Sequence, residues 1–451
     1  MLQTRQVLLF ALSLMVPALI LFYLPFGLAF NQGVVLAGVL MVVFWWASSI
    51  VHRSIASAVL LLIFLLFGDV PVQTVFNFPL SPLVLLIIGA LLIGEGIARS
   101  NLAARIARQL LERWGYTPAR LVVLAFILGI ILIFFIPHPF PRVIILTTIY
   151  IQFLVNAGIP ASKRKIILFS IYVASTSTVT IFLTGDILLN YAILEIGNIS
   201  MTWFEWAYYM TVPSIFINVL MCLLFLGIFR KDLRQIELPS PEKNQSRPPL
   251  TLSEKKAAGI LASVMLLWMT EPIHSVDPAY VSLLGLAAML VTGLLDLHSF
   301  KKINIHLLIF LTAAFAIGGV MSETGVAEVM YRHLFVFSPD PGSLYYYAFI
   351  VLVVMFLHMF LGSAITTIAI VLPPLMSTPD GVNEIVMVLM VYTATITHYL
   401  LPFHHATIML GTGENHFDEA SVLKYGIGLT ITTFISTLFI QLPWWRLIGL
   451  L

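Results

Sequence analysis

Trp46-Ala-Ser-Ser-Ile-Val-His52 is written a second time as Trp268-Met-Thr-Glu-Pro-Ile-His274. Each copy introduces the same succession of apolar spans, and each succession ends in a Ser/Thr-rich or His-rich break. A duplicated membrane unit is a common construction in secondary transporters, with the substrate site between the copies. The repeat therefore bears on function as well as architecture.

Composition sets the class. The chain is 60% hydrophobic and 10% charged, where soluble domains carry roughly 25% charged residues. Apolar runs of spanning length follow one another, for example 7–30, 34–51, 206–229 and 279–295. About 20 such residues cross a bilayer as helix, so the fold class expected is an all-α polytopic membrane protein with about 11 transmembrane helices. The first span lacks a small-residue cleavage site and is too long for a signal h-region, so it is expected to be retained. The net charge of +2 carries little information. No basic run with interleaved aromatics suggests nucleic-acid binding. Cys222, the single cysteine, lies in an apolar span and excludes an intrachain disulfide framework; it reads as inert packing.

Residues 1–32 form an isolated first span, and two related halves follow at 33–229 and 257–443, with a short tail at 444–451. The polar stretch 230–256, with Pro239, Pro241, Pro248 and Pro249 among charges, joins the halves. Each half has three spans, a short amphipathic stretch, an apolar hairpin (119–158 and 343–378), a broken span (163–195 and 384–414) and a last span. The match is detailed: Gly96 to Leu110 pairs with Gly319 to Leu334, allowing one insertion.

Charge gives the orientation, because Lys and Arg accumulate in short cytoplasmic loops. Residues 99–120 hold Arg99, Arg105, Arg108, Arg113 and Arg120 against Glu112, whereas 322–343 holds Glu323, Glu328 and Asp340 against Arg332. Lys163-Arg164-Lys165 follows the first hairpin, and Asp380 and Glu384 follow the second. Equivalent positions thus face opposite sides, and the repeat reads as inverted. Both hairpins are then re-entrant, a backbone tolerated only where it is buried in protein or lines a wet cavity. Entering from opposite faces, their tips are expected to meet near the midplane. The amino terminus and the 230–256 linker fall in the cytoplasm and the carboxy terminus outside, in a bacterial inner membrane.

The first tip reads Pro137-His138-Pro139-Phe140-Pro141-Arg142. Three prolines in five residues cannot continue a helix, and Pro141 suits the first turn of the returning one. An arginine at membrane depth costs about 2.5–3.5 kcal/mol on insertion scales, so a compensating role is expected. Arg142, with His138, is read as attracting an anion; the plainer alternative pairs Arg142 with a buried carboxylate and His138 with a carbonyl. The second tip, Leu361-Gly-Ser-Ala-Ile-Thr-Thr367, offers Ser363, Thr366 and Thr367 at a helix start, where N–H groups favour anions. The alternative there is close packing of small residues.

The first broken span carries Ser175, Thr176, Ser177, Thr178 and Thr180, then Thr184-Gly185-Asp186. Hydroxyls in membrane helices often bond back to the i−4 carbonyl. Five in six residues exceed that explanation, and these hydroxyls with Asp186 read as a cation-binding or coupling site in an unwound segment. Asp186 could equally neutralise Arg142. The second broken span has Thr393, Thr395 and Thr397, then His398 to Pro402, His404-His405, Thr407 and Gly411-Thr-Gly413. His404, His405 and Thr407 are assigned to the anion or to protons, since histidine titrates near neutral pH; capping of backbone freed by Pro402 is the equal alternative.

These residues resemble the divalent anion/sodium symporter family of the ion transporter superfamily, over nearly the whole chain. The resemblance is clearest at Trp268 to His274 with Leu283-Leu284-Gly285, at Leu372-Pro373, and at Leu401-Pro402 leading to Gly411-Thr-Gly413. It implies a homodimer whose transport domain slides as an elevator, with Na⁺ and substrate carboxylate held at Ser-Asn-Thr tips. The chain departs from that pattern and lacks an intact Ser-Asn-Thr motif. Ala364-Ile365 follows Ser363, Pro139-Phe140-Pro141 replaces the first motif, Thr184-Gly185-Asp186 only echoes the family's Gly-Thr-Pro-Pro-Asn-like turn, and His404-His405 replaces its second version.

The leading expectation is an elevator-type secondary transporter of a small anion, an organic di- or tricarboxylate. Coupling would be to Na⁺ or H⁺, or absent in an exchanger; no cofactor is expected beyond Na⁺ as coupling ion. The alternative is an inorganic anion, sulfate- or arsenite-like. A remote third reading is a membrane-embedded metalloenzyme using His398, His404, His405 and His416, but no HExxH or comparable ligand spacing occurs. A channel is disfavoured, because breaks and tips suit an occludable site better than a pore lining.

Overall fold

Each half begins with a long helix that buries the tryptophan of the repeated phrase: Trp46 is 1% exposed and Trp268 5%. The Trp268 indole donates to the Pro278 carbonyl at 3.1 Å. The histidine that ends the phrase starts the next helix in the first half, where His52 is the N-cap. The computed structural model describes residues 2–48, 50–238, 249–334, 336–377 and 382–451. Pro239, Pro241, Pro248 and Asp380 lie outside these.

After the first helix, α1 (Leu2–Tyr23), the first half runs α2 (Phe30–Ser48), α3 (Arg53–Phe67), α4 (Pro82–Ser100), α5 (Leu102–Trp114), α6 (Pro118–Ile133), α7 (Pro139–Asn156), α8 (Ala161–Ser177), α9 (Ile187–Ile196) and α10 (Trp203–Ile228). The second runs α11 (Leu252–Met269), α12 (Pro278–Val291), α13 (Ile305–Glu323), α14 (Val326–Leu334), α15 (Leu344–Leu361), α16 (Ala364–Met376), α17 (Glu384–Ile396), α18 (Ala406–Gly413) and α19 (Glu419–Ser436). A π turn at Thr437–Gln441 joins α19 to a last helix, Leu442–Leu447. The order in α2–α10 and the order in α11–α19 therefore correspond element by element. Among the described residues there is no strand. Among the described residues, seven helices are long and apolar enough to cross a membrane, and six shorter apolar ones accompany them. The all-α polytopic class read from composition holds.

The outer surface is apolar, with Phe22, Val291 and Phe216 exposed at 80%, 89% and 59%. Such faces suit hydrocarbon and would aggregate in water. Inside lipid, helices associate through close packing and small residues rather than through loss of water. The tightest crossing is α4 on α12, braced by α11. A Cβ on Gly89 would lie 2.7 Å from Ser282 Oγ, and one on Gly285 would lie 2.5 Å from a Val264 methyl. Elsewhere α13 packs on α3 and on α16, and each hairpin clasps the broken span of its own half: α6 and α7 hold α8, while α15 and α16 hold α17.

Arg105 of α5 ties down the start of α11, reaching Glu254 at 3.0 Å and the Pro249 carbonyl at 3.1 Å. Outside the spans, Asp296 accepts from the Ser299 hydroxyl and N–H and faces Arg99; these contacts hold its carboxyl below the usual range.

Overpacking a tight interface costs about 1–3 kcal/mol. Gly89→Val should therefore lower the melting temperature of purified protein by several degrees. Gly259→Val, where an added Cβ meets nothing within 4 Å, should leave it nearly unchanged. Equal melting temperatures for the two would show that α4 and α12 are not closely packed.

Candidate functional site

Helix α8 ends at Ser177 and the chain runs through two 3₁₀ turns, Thr178–Thr180 and Leu183–Asp186, before α9 resumes. Each interruption frees carbonyls that lipid cannot satisfy. Side chains take them. Asn190 donates to Val179, Phe182 and Leu183, each at 3.1 Å, and the Tyr392 hydroxyl donates to the Asn190 side-chain oxygen. From α10, Trp206 and Ser214 reach the Thr180 carbonyl at 3.2 and 3.3 Å. Thr211 reaches Ile181 at 3.0 Å and Asn218 reaches Ser177 at 3.2 Å. Gly185 packs so closely that a Cβ would lie 2.2 Å from the Val179 oxygen.

Most hydroxyls here are similarly spent. Thr176, Thr178 and Thr180 donate to Val173, Ala174 and Ser177 carbonyls, and Ser177 donates to Asn218 Oδ1 at 2.7 Å. Ser175 Oγ alone of the five is buried without a hydrogen-bond partner. The segment is a polar knot whose hydroxyl protons are committed to internal acceptors, while the hydroxyl oxygens keep lone pairs.

The first tip is bolted onto that knot. Ile187 N–H donates to the Pro137 carbonyl at 3.1 Å. Arg142 is fully buried, and its two terminal nitrogens reach Ile136 at 3.4 Å, Gly185 at 3.2 Å and Ser175 at 3.2 Å, all carbonyls. Its Nε has no hydrogen-bond partner. The charge of Asp186 reaches it, but among the described residues no ion pair of 4 Å or less is formed with it. His138 and Asp186 serve as N-caps, accepting from Phe140 N–H at 3.2 Å and Leu189 N–H at 3.4 Å. Both helix starts of the first half, α7 and α9, are therefore capped by their own side chains.

The second half is built differently. Pro402 opens a 3₁₀ turn, Pro402–His404, and His404 staples it. Its Nδ1 accepts from the N–H groups of Leu400 and Leu401, both at 3.1 Å, so Nε2 carries the proton and donates to Met359 of α15 at 3.0 Å. The bond ties break to hairpin. Gly426 of α19 seals the far side: a Cβ there would lie 2.3 Å from the Tyr399 oxygen. His405 pairs through Nδ1 with Thr407 Oγ1 at 2.8 Å. His416 bonds the Tyr172 hydroxyl at 2.7 Å.

At the second tip Gly362 takes φ 60° and Ser363 stands at the N-cap of α16 with no side-chain cap bond. His405 holds the same position at α18, likewise without one. The first N–H groups of a helix have no intrahelical partner, so α16 and α18 present open, positively polarised ends. Thr366 is fully buried with an unpartnered Oγ1. Thr367 donates to the Ser363 carbonyl at 2.9 Å. A Cβ on Gly362 would meet the Phe403 ring at 2.9 Å, so tip and break touch.

Sequence reading expected one midplane constellation. Hydrogen bonds and contacts tie the assigned residues to the break of their own half, and the two halves meet there where Tyr392 bonds Asn190. His138, Arg142, Ser175, Thr176, Ser177, Thr178, Thr180 and Asp186 fall around the first break; Ser363, Thr366, Thr367, His404, His405 and Thr407 fall around the second. Asn190, Asn218 and His358, which complete the two groups, were not singled out. Each is a polar residue within an apolar run, which is itself a signal of function in a membrane. Removing a partner from a buried polar group costs about 1–3 kcal/mol per group left unmade. Asn190→Leu, which withdraws a donor from three carbonyls and removes the nearer acceptor of the Tyr392 hydroxyl, should cost far more folded protein than Thr180→Val in size-exclusion recovery and melting temperature. Equal losses would mean that Asn190 does not close the break.

Comparison with known proteins agrees with this architecture. A family model described as the sodium:sulfate symporter transmembrane region matches residues 3–451. The inner membrane protein YbhI of Escherichia coli (strain K12) is 22% identical over 307 residues, covering 64% of this chain and 63% of that protein. The chain spans a little under two thirds of that relative's length, whereas the family match spans nearly the whole chain, and the apolar helices suit a transmembrane region: the chain is an integral membrane protein that belongs to the family of the sodium:sulfate symporter transmembrane region.

Proposed function

We propose that this protein is an elevator-type secondary transporter of a small, multiply charged anion, an organic di- or tricarboxylate, in an inner membrane. The observation that carries the reading is the pair of uncapped helix starts in the second half, α16 at Ser363 and α18 at His405, beside the unpartnered hydroxyl of buried Thr366. Open N-termini favour anions through free N–H groups and the helix dipole. The corresponding starts in the first half accept no such ligand, because His138 and Asp186 already cap them. Arg142 contributes a positive charge with no carboxylate within 4 Å, while its N–H groups hold the first tip to the break.

The moving body in this proposal comprises both hairpins and both broken spans, which are bonded to each other inside each half. Two inverted repeats, an N-terminus in the cytoplasm and a homodimeric scaffold complete it. The family description names sulfate, and an inorganic oxyanion is the second reading; the same N–H groups could hold either.

Uptake of radiolabelled succinate, citrate and sulfate into proteoliposomes tests the site and ranks these anions. A hydrogen bond to a charged group is worth about 1.5–3 kcal/mol, so Thr366→Val and Ser363→Ala should each raise KM about tenfold or more. Unchanged KM for every transported anion would remove the second tip from the site. Orientation is tested in a Cys222→Ser background with an impermeant maleimide. Thr117→Cys, at the base of the first hairpin, should label only from the cytoplasmic side, and Ser343→Cys only from outside. Labelling of both from one face would refute the inverted arrangement.

A further inference from the structure

His358 stands in α15 one turn before the second tip and is fully buried. Its Nδ1 lies 3.0 Å from Thr367 Oγ1, which in turn lies 2.9 Å from the Ser363 carbonyl. A hydroxyl has one proton to give, and the carbonyl can only accept it. Thr367 therefore donates to Ser363 and accepts from His358, so Nδ1 carries the ring proton and Nε2 presents a bare lone pair. That Nε2 is buried with no hydrogen-bond partner.

His398, from the second break, faces it with ring centroids 5.4 Å apart. It too is fully buried, and neither of its nitrogens makes a hydrogen bond. The Ala394 carbonyl lies close to its ring, but at a geometry that falls short of one. His404 lies 6.1 Å from His358, yet both of its nitrogens are committed to backbone groups. The ionisable groups whose fields reach the pair are His404, from the break, and His405, at the start of α18. Among the described residues no carboxylate, lysine or arginine joins them.

We infer that His358 and His398 form a proton-binding site that loads together with the anion, so that the transporter moves its substrate with a proton. The inference rests on the anion site proposed at α16 and α18. A proton entering the pair forms an N–H bond at one imidazole, and a rotation of the adjacent rings, which make no hydrogen bond as they stand, lets it bond the lone pair of the other and satisfy two of the three nitrogens otherwise unmet in a dry interior. It also places a unit charge where no carboxylate offsets it. An anion at the N-termini of α16 and α18 supplies that offset, since Ser363 is two hydrogen bonds from His358, through Thr367. Each ligand then raises the affinity of the other by the same factor. The proton that enters on one face leaves on the other with the anion, and no other reactant is needed.

The full chain, reconstituted in sodium-free liposomes loaded with pyranine and clamped with valinomycin and K⁺, is given inward gradients of succinate, citrate and sulfate. A transported anion should acidify the lumen without Na⁺. His358→Gln and His398→Gln should abolish that acidification, and anion-induced thermal stabilisation should lose its pH dependence over about pH 5 to 8. Acidification by the variants at the wild-type rate, or uptake that requires Na⁺ and moves no proton, would overturn the inference. If no anion of the panel moves or stabilises the protein, the anion-site reading fails instead. The pH dependence of the melting temperature without anion then decides the proton site. A flatter curve in the double variant supports it, and an identical curve overturns it.

Discussion

A helix interrupted inside a membrane must give its freed carbonyls to some donor, because neither water nor lipid supplies one. In this chain that requirement is met by amides, indoles and hydroxyls drawn from neighbouring helices. Asn190 alone takes three carbonyls of the first break, and α10 supplies Trp206, Thr211, Ser214 and Asn218. The order of helices around the break follows from this. Helix α10 must lie against it, and Tyr392 of the other half must lie against Asn190. Glycines complete the closure where a backbone comes too near for any side chain, Gly185 on the first break and Gly426 on the second.

The two breaks meet the same requirement with opposite consequences. The first hairpin sends Arg142 into its break, while in the second half the break sends His404 back to its hairpin. His138 and Asp186 then close the helix starts of the first half. Ser363 and His405, in the matching places, form no cap. A duplicated unit thus holds one half fixed by internal bonds and leaves the other with open polar ends.

Much of this was legible from residue order. The repeated phrase, the apolar run lengths and the prolines at 137–141 and 402 place helices, tips and breaks, because backbone chemistry is local: a proline removes a backbone donor, which interrupts the helix at 137–141 and 402 but is absorbed inside α10 at Pro213 and inside α16 at Pro373 and Pro374. The fate of each hydroxyl was not legible. Of the five hydroxyls in six residues, four give their protons to carbonyls or to Asn218 and keep their oxygens as acceptors only. Asn218 lies 41 residues from Ser177, its partner. Tertiary distance of that kind leaves no mark on local pattern. His358 differs, since a lone imidazole in the apolar run of α15 is visible without a structure; only its partners, Thr367 and His398, required one.

Arg142 shows why the two readings of a buried charge need not compete. Its fork gathers carbonyls from three segments, the end of α6, the end of α8 and the break, a geometry that a lysine ammonium cannot span from one point. Those bonds account for most of its N–H groups and for its structural role. They do not remove its charge, because carbonyl dipoles screen a cation without neutralising it, and Asp186 stays beyond ion-pair distance. A positive field therefore persists beside a fold that has otherwise closed its polar groups. The latch that ties the first tip to its break therefore also holds a full positive charge in the interior.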